Sequence, residues 1–183
     1  MPLSGPVMFF LIRRLTGKNA LPLELLTRQQ DFAGLIQQHR ALIFKVCHVY
    51  CKTEADREDL FQEVVYQLWK SYSSFRGQAA FSTWMYRVAI NTAISGARRN
   101  KLGRLTTYME ELPQAAYSDD SNREQIEQLR RAIAHLNDVE KSIVMLYLEE
   151  KSYEEMEAIL GINQNNLRVK MNRIKEKLRK VWN

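Results

Sequence analysis

The sequence predicts an all-α protein: two small helical domains joined by a flexible linker, the C-terminal one a helix-turn-helix. Three observations predict it. The 183 residues hold only seven Gly and four Pro, with no proline beyond Pro113, so helix breakers are sparse. Apolar residues recur at three- and four-residue spacing through most of the chain, the period of an amphipathic helix. The stretch 102–122 loses that period and mixes Gly, Pro, Ser and acids, as a linker does. The expected division is an extension at 1–30, a first domain at 31–102, a linker at 103–122 and a second domain at 123–183.

Taken in order, the extension contains an apolar run, "VMFFLI", of about six residues, too short to span a bilayer. No basic segment precedes it and no A-x-A-like site follows, as a secretory signal requires. The expectation is a loosely ordered extension on a cytoplasmic protein, with a short amphipathic anchor as the other reading. From Asp31, Phe32, Leu35, Ile36, Leu42, Ile43 and Val46 mark one long helix or two short ones. "KTEADRE" reads as a polar break. "DLFQEVVYQLWKSY" then carries a core stripe of Leu60/Phe61, Val64/Val65 and Leu68/Trp69. After the loop "SSFRGQAA", Ser82 is the expected N-cap of a helix running toward "SGARRNK".

Beyond the linker come helical segments with legible starts. "REQIEQLRRAIAHL" is the first. Asn137 with Glu140, and Ser152 with Glu155, have the spacing of a capping box, in which each partner satisfies the other's unpaired backbone N–H. Gly161 is expected to take the left-handed conformation that ends one helix and turns the chain into the next, from Gln164 to near Val181.

In that last helix Leu167, Met171, Ile174, Leu178 and Val181 form the buried stripe, leaving Gln164, Asn165, Arg168, Val169, Lys170, Asn172 and Arg173 among the residues off it. A solvated face normally mixes its signs. Here Arg168, Lys170, Arg173, Lys175, Lys177, Arg179 and Lys180 oppose a single acid, Glu176. The first turn carries amides rather than the acids that a helix N-terminus favours. Amides and Arg at the start of the second helix of a helix-turn-helix suit base edges in the major groove. The net charge of +6 agrees with an anionic partner.

Cys47 and Cys51 stand one helical turn apart, a poor spacing for a disulfide framework, and read as core thiols of a reduced protein. His39 and His48 lie near them, but the CxxC spacing of a structural zinc site is missing, so neither metal nor other cofactor is expected. No nucleophile–base pair or phosphate loop suggests an enzyme or a small-molecule substrate. Opposite the stripe of "DLFQEVVYQLW" lie Asp59, Gln62, Glu63 and Tyr66, a polar strip that either faces water or docks a basic helix; spacing leaves both open. In "AFSTWMYRVAIN", the i, i+3, i+4, i+7 set of Phe81, Trp84, Met85 and Val88 reads as core, with Arg87 and Asn91 one turn apart on another face.

"DLFQEVVYQLW", "SFRGQAAFSTWMYRVAINTA" and "LEEKSYEEMEAILGINQNNLRVKMNRIKEKL" together resemble bacterial RNA polymerase sigma factors of the sigma-70 family. They are most similar to the extracytoplasmic-function (ECF) subgroup, which keeps only regions 2 and 4. The resemblance spans about Asp31 to Lys180. It implies a transcription initiation factor that binds core RNA polymerase (the β′ coiled coil and β flap) and promoter DNA, with an anti-sigma factor as an expected regulator. By position it implies that Asp59, Gln62, Glu63 and Tyr66 meet polymerase. Ser74, Phe75, Arg87, Asn91, Arg98 and Arg99 fall where the −10 element is held as a melted non-template strand. Gln164, Asn165, Arg168, Val169, Lys170, Asn172 and Arg173 fall where the −35 element is read as duplex. Many members read "GTVKSRL" where this chain has "NNLRVKM", so the −35 preference does not carry over. The alternatives are a stand-alone helix-turn-helix operator-binding regulator and a helical adaptor attached to a membrane by its N-terminus.

Overall fold

The computed structural model describes residues 23–103, 133 and 135–182. Among them are seven helices: α1 (Leu23–Gln38), α2 (Arg40–Tyr50), α3 (Glu54–Tyr72), α4 (Phe81–Gly103), α5 (Asp138–Leu148), α6 (Tyr153–Leu160) and α7 (Gln164–Trp182). The chain divides into two units, Met1–Gln37 and Gln38–Asn183. In the first, Phe32 and Ile36 on α1 are buried. This helix begins at Leu23, inside the stretch that sequence patterning assigns to an extension. Patterning missed it because "LELLTRQQ" lacks a start signal beyond the proline before it.

The second unit holds two groups of helices. In the first group α2, α3 and α4 pack on one another. Ile43, Val46 and Cys47 of α2, Phe61, Val64 and Leu68 of α3, and Met85, Ala89, Ile90 and Ala93 of α4 are among its buried residues. Their spacing is the helical period, so each helix buries one stripe. At one edge Phe44 stacks on Phe61 with ring centres 4.8 Å apart, and the Arg40 guanidinium lies 4.9 Å from the Phe44 ring centre. Cys47 is fully buried and Cys51 partly so, both as free thiols. Burial pushes the Cys47 thiol up to about 12 and Cys51 to about 11, so both stay protonated near neutrality.

Two helix starts differ from the sequence expectation. The stretch "KTEADRE" is mostly the first turns of α3, not a break: Thr53 accepts a hydrogen bond from the Asp56 N–H at 3.0 Å, and Glu54 and Asp56 meet the positive helix end. Ser82 is not a cap, because α4 begins one residue earlier, at Phe81. Phe81 sits within an aromatic cluster, 5.3 Å from Trp84 and 5.4 Å from Phe75, and that packing draws it into the helix.

The second group is α5, α6 and α7, with α7 packed on both of the others. Both expected capping boxes form, at Asn137/Glu140 and Ser152/Glu155. Gly161 ends α6 with φ +67° and ψ +22°, the left-handed conformation the turn requires. Asn163 then accepts from the Asn166 N–H at 2.9 Å and caps α7. Leu167, Met171 and Ile174 are buried as expected, and Leu178 is half-buried. The side chain of Val181 and most of "REQIEQLRRAIAHL" lie outside the described residues, though Leu136 at its end is buried.

Glu140 joins two of these helices. Partial burial pushes its carboxyl up, but the hydrogen bond from Lys177 of α7 and the Asn137 N–H outweigh burial and hold it below its usual value. Glu155 is held low by Lys151 and the Ser152 N–H. Both folded values are depressed, so their stabilisation is present above the unfolded glutamate value and lost as pH falls through the folded one. The thermal midpoint should therefore fall between about pH 5 and pH 3. Circular dichroism melts of Glu140→Gln and Glu155→Gln should show a shallower fall than the parent; equal slopes would assign the acid sensitivity to other carboxylates.

Candidate nucleic-acid interface

The loop between α3 and α4 is built by short-range bonds. Phe75 N–H donates to the Tyr72 carbonyl at 3.2 Å and Ser74 Oγ to the Ser71 carbonyl at 2.7 Å, which carry the chain out of α3. Gly77 takes φ +70°, which reverses the chain before α4 at little steric cost. Phe75 is thereby laid against Trp84 (5.1 Å between ring centres) and edge-on to Phe81. Together with Arg76, Gln78, Thr83, Arg87 and Ala158 of α6, the Ser74–Phe75 turn and Trp84 line a cleft of about 350 Å³.

Arg87 and Asn91 are exposed one turn apart on α4, as expected, but only Arg87 reaches the cleft. Trp84 differs from its sequence assignment to the core: it is half-buried and forms part of the cleft wall, whereas Met85 takes the core position. The side chains of Arg98 and Arg99 lie outside the described residues, although α4 continues through both. On α3, Asp59 and Gln62 are exposed and Tyr66 half-buried, while Glu63 accepts from Gln67 Nε2 at 2.9 Å. The four share one helical face.

On α7, Asn165, Arg168, Lys170, Asn172 and Arg173 are exposed. Val169 is 49% exposed, an apolar side chain left in water on a polar face. Two residues of α6 that sequence reasoning passed over hold this face in place. The Arg168 guanidinium lies 5.1 Å from the Tyr153 ring centre, and Gln164 Nε2 donates to Glu157 Oε2 at 3.0 Å. Arg168 also donates to Asn165 Oδ1 at 3.3 Å. Such pairs lie across the helix-turn-helix and leave no spacing signature in one helix.

A basic, amide-rich helix-turn-helix and an aromatic cleft edged by an Arg occur here in one chain. Residues 35–102 match the family model for sigma-70 region 2, and residues 126–178 match the model for sigma-70 region 4. The ECF RNA polymerase sigma-E factor of Escherichia coli K12 is 31% identical over 162 residues, covering 81% of this chain and 84% of that one. The chain belongs to the sigma-70 family, ECF group. A second ECF sigma factor, SigW of Bacillus subtilis, is 26% identical and covers 83% of this chain and 89% of its own. Among solved structures, the sigma factor RpoE of Bartonella quintana, in complex with the anti-sigma factor NepR, aligns over 84% of this chain and 97% of that one. Its TM-score is 0.65 at 18% identity, so the likeness is one of fold. CnrH, in complex with the cytosolic domain of CnrY, aligns with a TM-score of 0.61 at 16% identity.

As a sigma factor the protein is a promoter-directing transcription initiation factor. The cleft lies within the span matched to region 2, apart from Ala158, and α6 and most of α7 lie within the span matched to region 4. Among the described residues no helix is long and apolar enough to cross a membrane.

Proposed function

We propose that this sigma factor acts in the cytoplasm, binds core RNA polymerase through the α3 face and reads its promoter at two places. The domains serving those tasks are 31–102 and 123–183, joined by 103–122. Asp59, Gln62, Glu63 and Tyr66 dock the polymerase; the Glu63–Gln67 hydrogen bond presents that carboxylate in a fixed position. Ser74, Phe75, Arg87 and Asn91, with Arg98 and Arg99, hold the melted −10 strand. Gln164, Asn165, Arg168, Val169, Lys170, Asn172 and Arg173 read the −35 duplex.

The observation that carries this reading is the cleft at the α3–α4 loop. Its aromatic wall of Phe75 and Trp84 offers a stacking surface for a flat base, and Arg87 at its edge supplies a cation for the strand. Stacking of this kind tolerates sequence, so sequence preference falls mainly to α7, where Arg173 suits guanine and Asn172 adenine. The exposed Val169 suits a thymine methyl. An anti-sigma factor is the expected regulator, as NepR is the partner of the Bartonella sigma factor.

Run-off transcription with core polymerase tests the reading: the protein should start transcription from promoters selected out of genomic DNA. Asp59→Ala should weaken core binding about fivefold to thirtyfold, the loss of about 1–2 kcal/mol at an interface contact, with the unfolding midpoint unchanged. Unaltered core affinity would retire the docking role of the α3 face.

A further inference from the structure

We propose that Tyr153 is a positioning residue for promoter specificity; this rests on the reading of α7 against the −35 duplex. Its ring holds the Arg168 guanidinium in place for one base pair of that element. The guanidinium lies 5.1 Å from the centre of the Tyr153 ring, and its Nη1 donates to Asn165 Oδ1 at 3.3 Å. Arg168 is exposed and Tyr153 half-buried, so the ring forms a shelf at the edge of the core that carries an exposed cation.

The shelf belongs to a brace of two rungs. On α6, Tyr153 and Glu157 stand four residues apart, and on α7 Gln164 and Arg168 do the same. Residues at that spacing share one helical face. Glu157 Oε2 accepts from Gln164 Nε2 at 3.0 Å, so Glu157 meets Gln164 while Tyr153 meets Arg168. Caps fix the backbone beside both rungs. Ser152 Oγ accepts from the Glu155 N–H at 3.1 Å, which sets the start of α6 at Tyr153. Asn163 Oδ1 accepts from the Asn166 N–H at 2.9 Å and sets the start of α7 at Gln164.

Arg has a long side chain whose rotamer freedom is surrendered when it pairs with a base. Arg168 has surrendered part of that freedom beforehand, so more of its pairing with a guanine edge is kept as discrimination. Arg173 supplies the contrast. It is exposed, with no hydrogen bond or ion pair among the described residues. It also lies about 140° round the helix from Arg168, at about 100° per residue. The two arginines therefore meet different base pairs, and only the pair met by Arg168 depends on Tyr153.

The test uses the full chain with core polymerase, selecting promoters whose −35 element is randomised. Tyr153→Leu should lower the preference at the base pair that Arg168→Ala also relaxes, by about twofold to fivefold, the range of an exposed cation–π contact. Preference at the pair relaxed by Arg173→Ala should stay at the parent value. Tyr153→Phe keeps a ring and should keep the preference. An equal loss at every −35 position in Tyr153→Leu would show a general structural role and overturns the proposal. So does a Tyr153→Phe variant that loses as much as Tyr153→Leu. The shelf is also visible without DNA, by NMR of the free chain. The Arg168 side-chain protons should lie upfield through the ring current, return to their ordinary position in Tyr153→Leu and stay upfield in Tyr153→Phe. Ordinary positions in the parent overturn the shelf. A wild-type holoenzyme with no preference in the randomised element would instead remove the −35 reading, and the NMR comparison would still decide the shelf.

Discussion

Phe75→Ala should lower promoter opening by about 5- to 150-fold, the equivalent of ~1–3 kcal/mol of lost base stacking. The expectation follows from where the ring sits. It is half-buried in a loop, tilted 40° against Trp84 and nearly perpendicular to Phe81, so its neighbours fix its orientation and leave part of it open to the cleft. A ring held this way loses little further freedom when a base stacks on it, so most of the stacking energy is kept. Extruding a base costs a few kcal/mol, the same order as one good stack. Removing the stack thus tips the balance at that position. Phe75→Ala also loses ring–ring contacts of ~0.5–1.5 kcal/mol, so a thermal melt must accompany the kinetics. Phe75→Trp separates the two effects: it keeps a flat face and should retain most of the opening rate, measured by fluorescence of a promoter carrying 2-aminopurine in the −10 element. Equal opening by the Ala variant and the parent would move the stacking role to another ring.

Which parts of this molecule were legible in the sequence follows from the range of the interactions that make them. The capping boxes at Asn137 and Ser152, the Gly161 turn and the α7 stripe are decided within four residues, and the sequence spells them out. The Thr53 cap is equally local, yet the charged run "EADRE" after it conceals a helix whose apolar residues begin only at Leu60. Trp84 shows the next limit. Its spacing with Phe81 and Val88 fits a core stripe, but Phe75 arrives from the loop and makes the same face a cleft. The farthest-reaching features left no trace in any window: Lys45 with Glu149, Ala158 in the cleft wall, and Tyr153 beneath Arg168. Each depends on one helix docking on another. Motif resemblance supplied the candidate site residues by position, and composition the expected sign of the partner's charge; neither supplied the packing around them.

Leu167→Ala should cost about 2–5 kcal/mol and abolish −35 binding without removing a single group that faces DNA. Val169→Ala, two residues along the same helix, should stay within about 0.5 kcal/mol in stability. The contrast is one of face. Leu167 is 0% exposed and packs among the buried residues of its group, whereas Val169 is 49% exposed. Deleting the Leu167 methyls removes apolar burial and leaves a void that the surrounding side chains fill only in part. Among the described residues of this group, the other large, fully buried side chains are Ile143, Leu146, Met156, Ile159 and Ile174. A loss of that size matters, since small domains stand only about 5–15 kcal/mol from unfolding. Loss of Leu167 also loosens the attachment of α7, and with it the Tyr153–Arg168 and Glu157–Gln164 pairs that set the reading face. Urea unfolding followed by circular dichroism, beside a band shift on −35 duplex DNA with core polymerase present, measures both consequences. Leu167→Ala should fail in both assays. Val169→Ala should keep the unfolding midpoint and change only the preference at the base pair its methyls meet. A Leu167→Ala variant with unshifted unfolding would mean that α7 is not anchored through this residue.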